Sequence, residues 1–241
     1  CTDIMACNYD SLATCDDGSC LTTYGCIDSL AFNYDSLASC DDGSCIYPTM
    51  HAPIFFSEYA EGSFYNKYFE VFNPTTDTID LTNYAYPMVN NSPGNGAGIY
   101  ENWNNFDSAA VILPYDVFVV AHVSADSIIL ANADMIVTGN SALSNGNDGY
   151  CLVEGTETNY TVIDCIGDWN GNPGDGGWDV AGTTGATVNH TLVRKPTVTT
   201  GNPDWGVSSG TDADGSEWIV LGNEDWSNLG SHTYGAGGEN I

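Results

Sequence analysis

The chain has 241 residues, with three basic side chains against 32 acidic ones and a formal charge of −29. Such a balance repels nucleic acid and anionic membrane surfaces, and excludes them as partners. It is not a signature of disorder, because 42% hydrophobic and 12% aromatic residues can fill a core.

In chain order, the first feature is a repeat: CTDIMACNYDSLATCDDGSC is followed, after a short spacer ending in Gly25, by CIDSLAFNYDSLASCDDGSC. Seven cysteines fall within the first 45 residues. Units this small cannot bury enough apolar surface to fold unaided, so the cysteines are read as disulfides and the protein as exported. Clustered zinc ligands are the competing use, but neither repeat carries a histidine or a C-x2-C pair. If each repeat is a closed unit, Cys1 pairs with Cys20 and Cys26 with Cys45. Cys7 then pairs with Cys15 as an extra staple in the first repeat, and Cys40 is left unpaired. An unpaired cysteine in an exported chain points to an intermolecular bond or to a small buried residue, here near Phe32. Each closed loop contributes roughly 3 kcal/mol in the chain-entropy model.

The repeats also gather hard oxygen ligands: Asp3, Asn8, Asp10, Asp16 and Asp17 in the first, and Asp28, Asn33, Asp35, Asp41 and Asp42 in the second. Oxygen donors in a short cross-linked loop with a permissive glycine suit Ca2+, which is the cofactor expected here. The alternative is that Asn-Tyr-Asp and Asp-Asp-Gly-Ser simply build turns, since Asn and Asp bond their own backbone.

After Tyr47-Pro48, cysteine becomes scarce and short apolar runs alternate with Gly, Asn, Asp and Pro clusters, the pattern of an all-β domain. Strands are predicted near Ile54 and from Lys67, Asp77, Tyr84, Ala109, Asp116, Tyr150, Thr161, His190 and Glu217. In KYFEVFN, Tyr68, Glu70 and Phe72 alternate with Phe69 and Val71, as expected for a sheet with one covered face. No run has convincing helical periodicity. Cys151 and Cys165 lie about one hairpin apart and are expected to bridge. The expected architecture is therefore all-β: two small disulfide-stapled, loop-rich repeats (1–25 and 26–48), then a β-sandwich over 52–235. No run approaches the roughly 18 apolar residues of a membrane helix. Because the chain starts at Cys1 without Met, it is expected to be a mature product or a piece of something longer, with further repeats upstream conceivable.

The segments SEYAEGSFYNKYFEVFNPTTDTIDLTNY, VILPYDVFVVAH, NDGYCLVEG, VIDCIG, NHTLVRKP and DGSEWIVL, in this order, resemble the lamin-tail domain as it occurs in secreted bacterial proteins. The resemblance spans roughly Pro53 to Tyr234 and implies an immunoglobulin-like β-sandwich. The N-terminal pair resembles short repeats of Bacteroidota surface proteins. Within that resemblance, Asp-Ser/Thr followed by an apolar residue looks like an O-glycosylation site, which marks Ser11, Ser29, Ser36, Thr78, Ser108 and Ser127.

Catalytic signatures are lacking: there is no nucleophile elbow, zincin motif, P-loop or dinucleotide fingerprint. His51, His122, His190 and His232 occur singly. Beside His190, the pair Arg194-Lys195 could form an anion site, but in so acidic a protein Arg194 is better read as the partner of a buried carboxylate. The loop Asp168, Asn170, Asn172, Asp175, Asp179 echoes an EF-hand, yet Pro173 stands where that motif needs Gly; Asp212, Asp214, Gly215 and Glu217 form a weaker candidate. Trp169, Trp178, Trp205, Trp218 and Trp226 could line a sugar-binding face, with core packing as the plainer reading. Two functions follow. The first is a non-enzymatic surface or extracellular protein, structural or adhesive, whose partners are copies of itself, other surface proteins or glycans, and which could assemble into a filament or surface layer. The second is an accessory region of a larger secreted hydrolase such as a nuclease or phosphatase.

Overall fold

The computed structural model describes residues 1–45 except Leu30 and Phe32, and residues 54–235 except Ser92, Asn140, Ser141 and Ser144. Phe32, His51 and the Tyr47-Pro48 boundary lie outside the described residues. The chain divides into two compact units, Cys1–Met50 and His51–Ile241.

The N-terminal unit has little core. Its buried side chains are small or sulfur-bearing (Ala6, Cys26, Ala31, Cys40), whereas Ile4, Met5, Leu12 and Leu37 are exposed. Among its described residues the only strands are two-residue segments, β1 (Tyr24–Gly25) and β2 (Cys40–Asp41), which pair in parallel. Covalent bonds do the rest: Cys1–Cys20 and Cys26–Cys45 close the repeats with Cα separations of 4.9 and 4.7 Å.

The third bridge corrects the sequence reading, because Cys7 pairs with Cys40 and not with Cys15. The cause is tertiary. The Cys7 amide donates to the Leu21 carbonyl, and the Cys40 amide donates to Thr23 two residues further on, so the two sulfurs are brought to one stretch of backbone. The repeats are thus cross-linked to each other. Cys40 is buried and bonded, and Cys15 is the free, exposed thiol.

In the larger unit, a six-stranded sheet runs β10-β9-β4-β3-β13-β14, made of β3 (Phe55–Glu61), β4 (Lys67–Phe72), β9 (Val117–His122), β10 (Met135–Val137), β13 (His190–Arg194) and β14 (Trp218–Leu221). All its pairs are antiparallel except β9 with β10. A second sheet comprises β6 (Tyr84–Ala85), β7 (Met88–Val89), β11 (Gly149–Thr156) and β12 (Asn159–Ile166). A short pair, β5 (Ile79–Asp80) and β8 (Val111–Ile112), completes the strands. Pro87 separates β6 from β7, where the sequence suggested one strand, because proline has no N–H for the ladder. Cys151 and Cys165 face each other across β11 and β12 and are bonded.

The main buried cluster draws Phe56, Tyr59, Phe69, Val71, Val120 and Leu192 from the large sheet and Met88, Tyr150, Leu152 and Ile166 from the second. Phe69 meets Phe56 and Tyr86 edge to face, with centroids 5.3 and 4.9 Å apart. Such pairs contribute about 1 kcal/mol beyond area burial.

Two expectations are revised. Among the described residues two short α-helices occur, α1 (Ser127–Asn132) and α2 (Trp205–Ser209), started by Asp126 and Asp204, whose carboxylates accept the Ile128 and Val207 amides. Neither is long enough to show a period. All six residues of β4 are buried, because α1 and the closing segment around Trp226 and Leu229 cover the sheet face opposite the main cluster. Among the described residues, no helix is long and apolar enough to cross a membrane.

Candidate functional site

Asp168 follows the end of β12, after Gly167. A Cβ at Gly167 would lie 2.7 Å from the Asp148 carbonyl and 2.8 Å from the Trp178 indole nitrogen, so only glycine admits this approach. Through that gap the Trp178 indole donates to the Asp148 carbonyl at 3.0 Å. The Trp178 amide donates to the Thr187 hydroxyl, which itself donates to Gly146. The loop carrying Trp178 is therefore pinned to the segment leading into β11.

The opposite wall is the start of α2. Trp205 packs towards Trp218, with ring centroids 6.4 Å apart, and the Trp218 indole donates to the Ser208 hydroxyl at 3.2 Å. A hydrogen bond from the Ala181 amide to the Ser209 carbonyl, 2.8 Å, ties the two walls together. Between them lies a cavity of about 400 Å³ lined by Asp168, Pro173, Trp178, Asp179 and Trp205 among others. A second hollow of about 450 Å³ continues from it past Asn170 and Asp204, sharing Asp168, Trp205 and Gly206. Among the described residues, no basic side chain lines either hollow.

The EF-hand-like residues are used as turn acceptors. Asp168 accepts from the Asn170 amide and side chain, Asn172 from the Gly174 amide, and Asp179 from the Gly185 amide. In the second acidic loop, Asp212 accepts from the Asp214 and Gly215 amides.

The same local bonding runs through the N-terminal residues expected to hold Ca2+. Asp3, Asp10, Asp16 and Asp17 each accept the amide two residues ahead, and so do Asp35, Asp41 and Asp42. Asn8 and Asn33 donate to Ser19 and Ser44 at 2.6 Å, closing the two repeats identically. Hydrogen bonds from Ser19 and Ser44 hold the Asp17 and Asp42 carboxyls below their usual range. Asp28 also has an interaction partner. Among the described residues, no three His, Cys, Asp or Glu side chains converge as a cation site.

The six candidate glycosylation hydroxyls, Ser11, Ser29, Ser36, Thr78, Ser108 and Ser127, are all on exposed residues. Of the five tryptophans in the C-terminal half of the chain, Trp169, Trp205 and Trp218 are buried, while Trp178 and Trp226 are partly open. Arg194 is fully buried, donating to both oxygens of Asp164 and pairing with Glu217 at 3.2 Å. Its guanidinium lies 4.2 Å from the Trp218 ring centroid, so Arg194 serves a buried carboxylate as the sequence suggests.

Sequence reasoning missed that Trp178 and Trp205, 27 positions apart, line one hollow, which only the fold brings about. The usable signal was the run of glycines around Asp168 and Trp178. No family profile, curated protein or solved structure matches the chain.

Proposed function

We propose that the chain is an exported, non-enzymatic surface or extracellular protein with a structural or adhesive role. The observation that carries this reading is the N-terminal unit, whose three bridges replace a hydrophobic core. Such a scaffold persists where thiols are oxidised. The acidic surface and the absence of a membrane-length helix among the described residues are in keeping with it.

The larger unit, with two sheets contributing to one buried cluster, suits an immunoglobulin-like sandwich of the lamin-tail kind. The groove between Trp178 and Trp205 has the features of a binding surface, since its carboxylates are anchored by local turns. Copies of this chain, other surface proteins or glycans are the partners proposed.

Protease treatment of intact producing cells, followed by immunoblotting, tests the location. Loss of the protein without lysis is expected. Recovery only from the reducing interior, with all nine cysteines open to alkylation, would overturn the proposal.

A further inference from the structure

We infer that the groove between Trp178 and Trp205 binds an uncharged saccharide. This deepens the surface-protein reading and rests on it only for where the ligand is met. The two adjoining hollows, about 400 and 450 Å³, give an elongated trough of a size suited to small ligands.

Its chemistry is that of a sugar site. Half-open Trp178 offers apolar surface to the C–H face of a pyranose against a wall backed by the buried Trp205, while carboxylates beside it accept hydroxyl protons in charge-assisted bonds. Asp168, Asp179 and Asp204 each commit one oxygen, Oδ1, to local donors, which orients the carboxylate and leaves Oδ2 for a ligand. The trough is preorganised: Trp178 is held at both its indole and backbone nitrogens, and Trp205 by α2 and Trp218. Little ordering entropy is then lost on binding.

Charge narrows the class. With no basic group in the lining among the described residues and a net charge of −29, uronate, sialic acid and sulfated sugars are repelled. Simple organic cations gain little from half-exposed, salt-screened carboxylates.

The test uses the purified full chain on an array of neutral oligosaccharides (β- and α-glucan, chitin, mannan, xylan and galactan fragments), with polygalacturonate, sialyllactose, heparin and polylysine as charged probes. Hits are measured by calorimetry. Saturable binding to at least one neutral probe is expected, weakened at least about tenfold by Trp178→Ala. Trp178→Phe, which keeps an aromatic face, should stay within about threefold. The melting temperatures of both Trp178 variants, measured in parallel, check that loss of binding is not loss of fold. No binding to any neutral probe, binding unchanged in Trp178→Ala, or binding confined to polylysine would each overturn the inference. An exported chain that binds no sugar sinks this inference alone, whereas a chain retained inside cells sinks the surface reading whatever it binds.

Discussion

Glu58 and Glu70 stand directly opposite each other on β3 and β4, and both are buried. Tyr68 donates to Glu58, and Ser57 and the Gly230 amide donate to Glu70, at 2.7 and 2.8 Å. The second oxygen of Glu58 has no partner. Two carboxylates so placed cannot both ionise cheaply.

Burial pushes the Glu58 carboxyl up to about 7, with Asp225 adding to the rise against the Tyr68 hydrogen bond. Burial, then Glu58, and to a lesser degree Asp116, push Glu70 well above its usual value. A carboxyl raised in the folded state holds its proton longer than in the unfolded chain. Its contribution is fully present below about pH 4.5 and is lost as pH rises through 7. The rise from 4.5 to about 7 corresponds to roughly 3 kcal/mol. His232, pushed down to about 4 by burial and then by Arg194, acts in the opposite sense, adding stability as pH rises from 4 to 6.5. Subtracting the Glu58→Gln profile from wild type isolates the acid. Urea titrations from pH 4 to 8 should show the variant gaining on wild type as pH rises, and parallel profiles would refute the pair.

The Arg194–Asp164 pair leads to a second expectation. Asp164 also accepts from the Phe56 and Asn202 amides, 2.8 and 2.9 Å, so removing its charge leaves Arg194 buried with only Glu217. Asp164→Asn should cost about 3–5 kcal/mol in denaturant unfolding. A loss below about 1 kcal/mol would place the pair among screened surface contacts.

The corrected disulfide map gives a third. Alkylation of the unreduced, denatured protein should add one label, at Cys15. Cys40→Ser should expose Cys7 as a second label and lower the stability of the N-terminal unit by about 2–4 kcal/mol. A Cys7–Cys15 peptide in the non-reduced digest would restore the sequence-based pairing. Covalent dimers on a non-reducing gel, if seen, should vanish in Cys15→Ser.

Calcium supplies a fourth. Were the Asp side chains of the repeats only acceptors for their own turn amides, melting in Ca2+ and in excess chelator should differ by less than about 2 °C. A larger loss with chelator, all four bridges intact, would show that the repeats hold Ca2+.

What the residues determine by themselves is what is encoded locally. The closed loops Cys1–Cys20 and Cys26–Cys45, the Cys151–Cys165 bridge and most strands were legible, because a repeat, a hairpin spacing and a two-residue alternation are short-range patterns. Tertiary structure decided the rest. Cys7 meets Cys40 because β1 and β2 pair across repeats, a contact 33 residues apart that no single repeat contains. Glu70 alternates like a solvent-facing residue, yet it is buried because α1 and the closing segment, far along the chain, cover that face. Trp178 and Trp205 become one groove only when the Gly167 turn and α2 place them on facing walls. Periodicity reports which side of a strand a residue occupies; what packs against that side is set by segments distant in sequence.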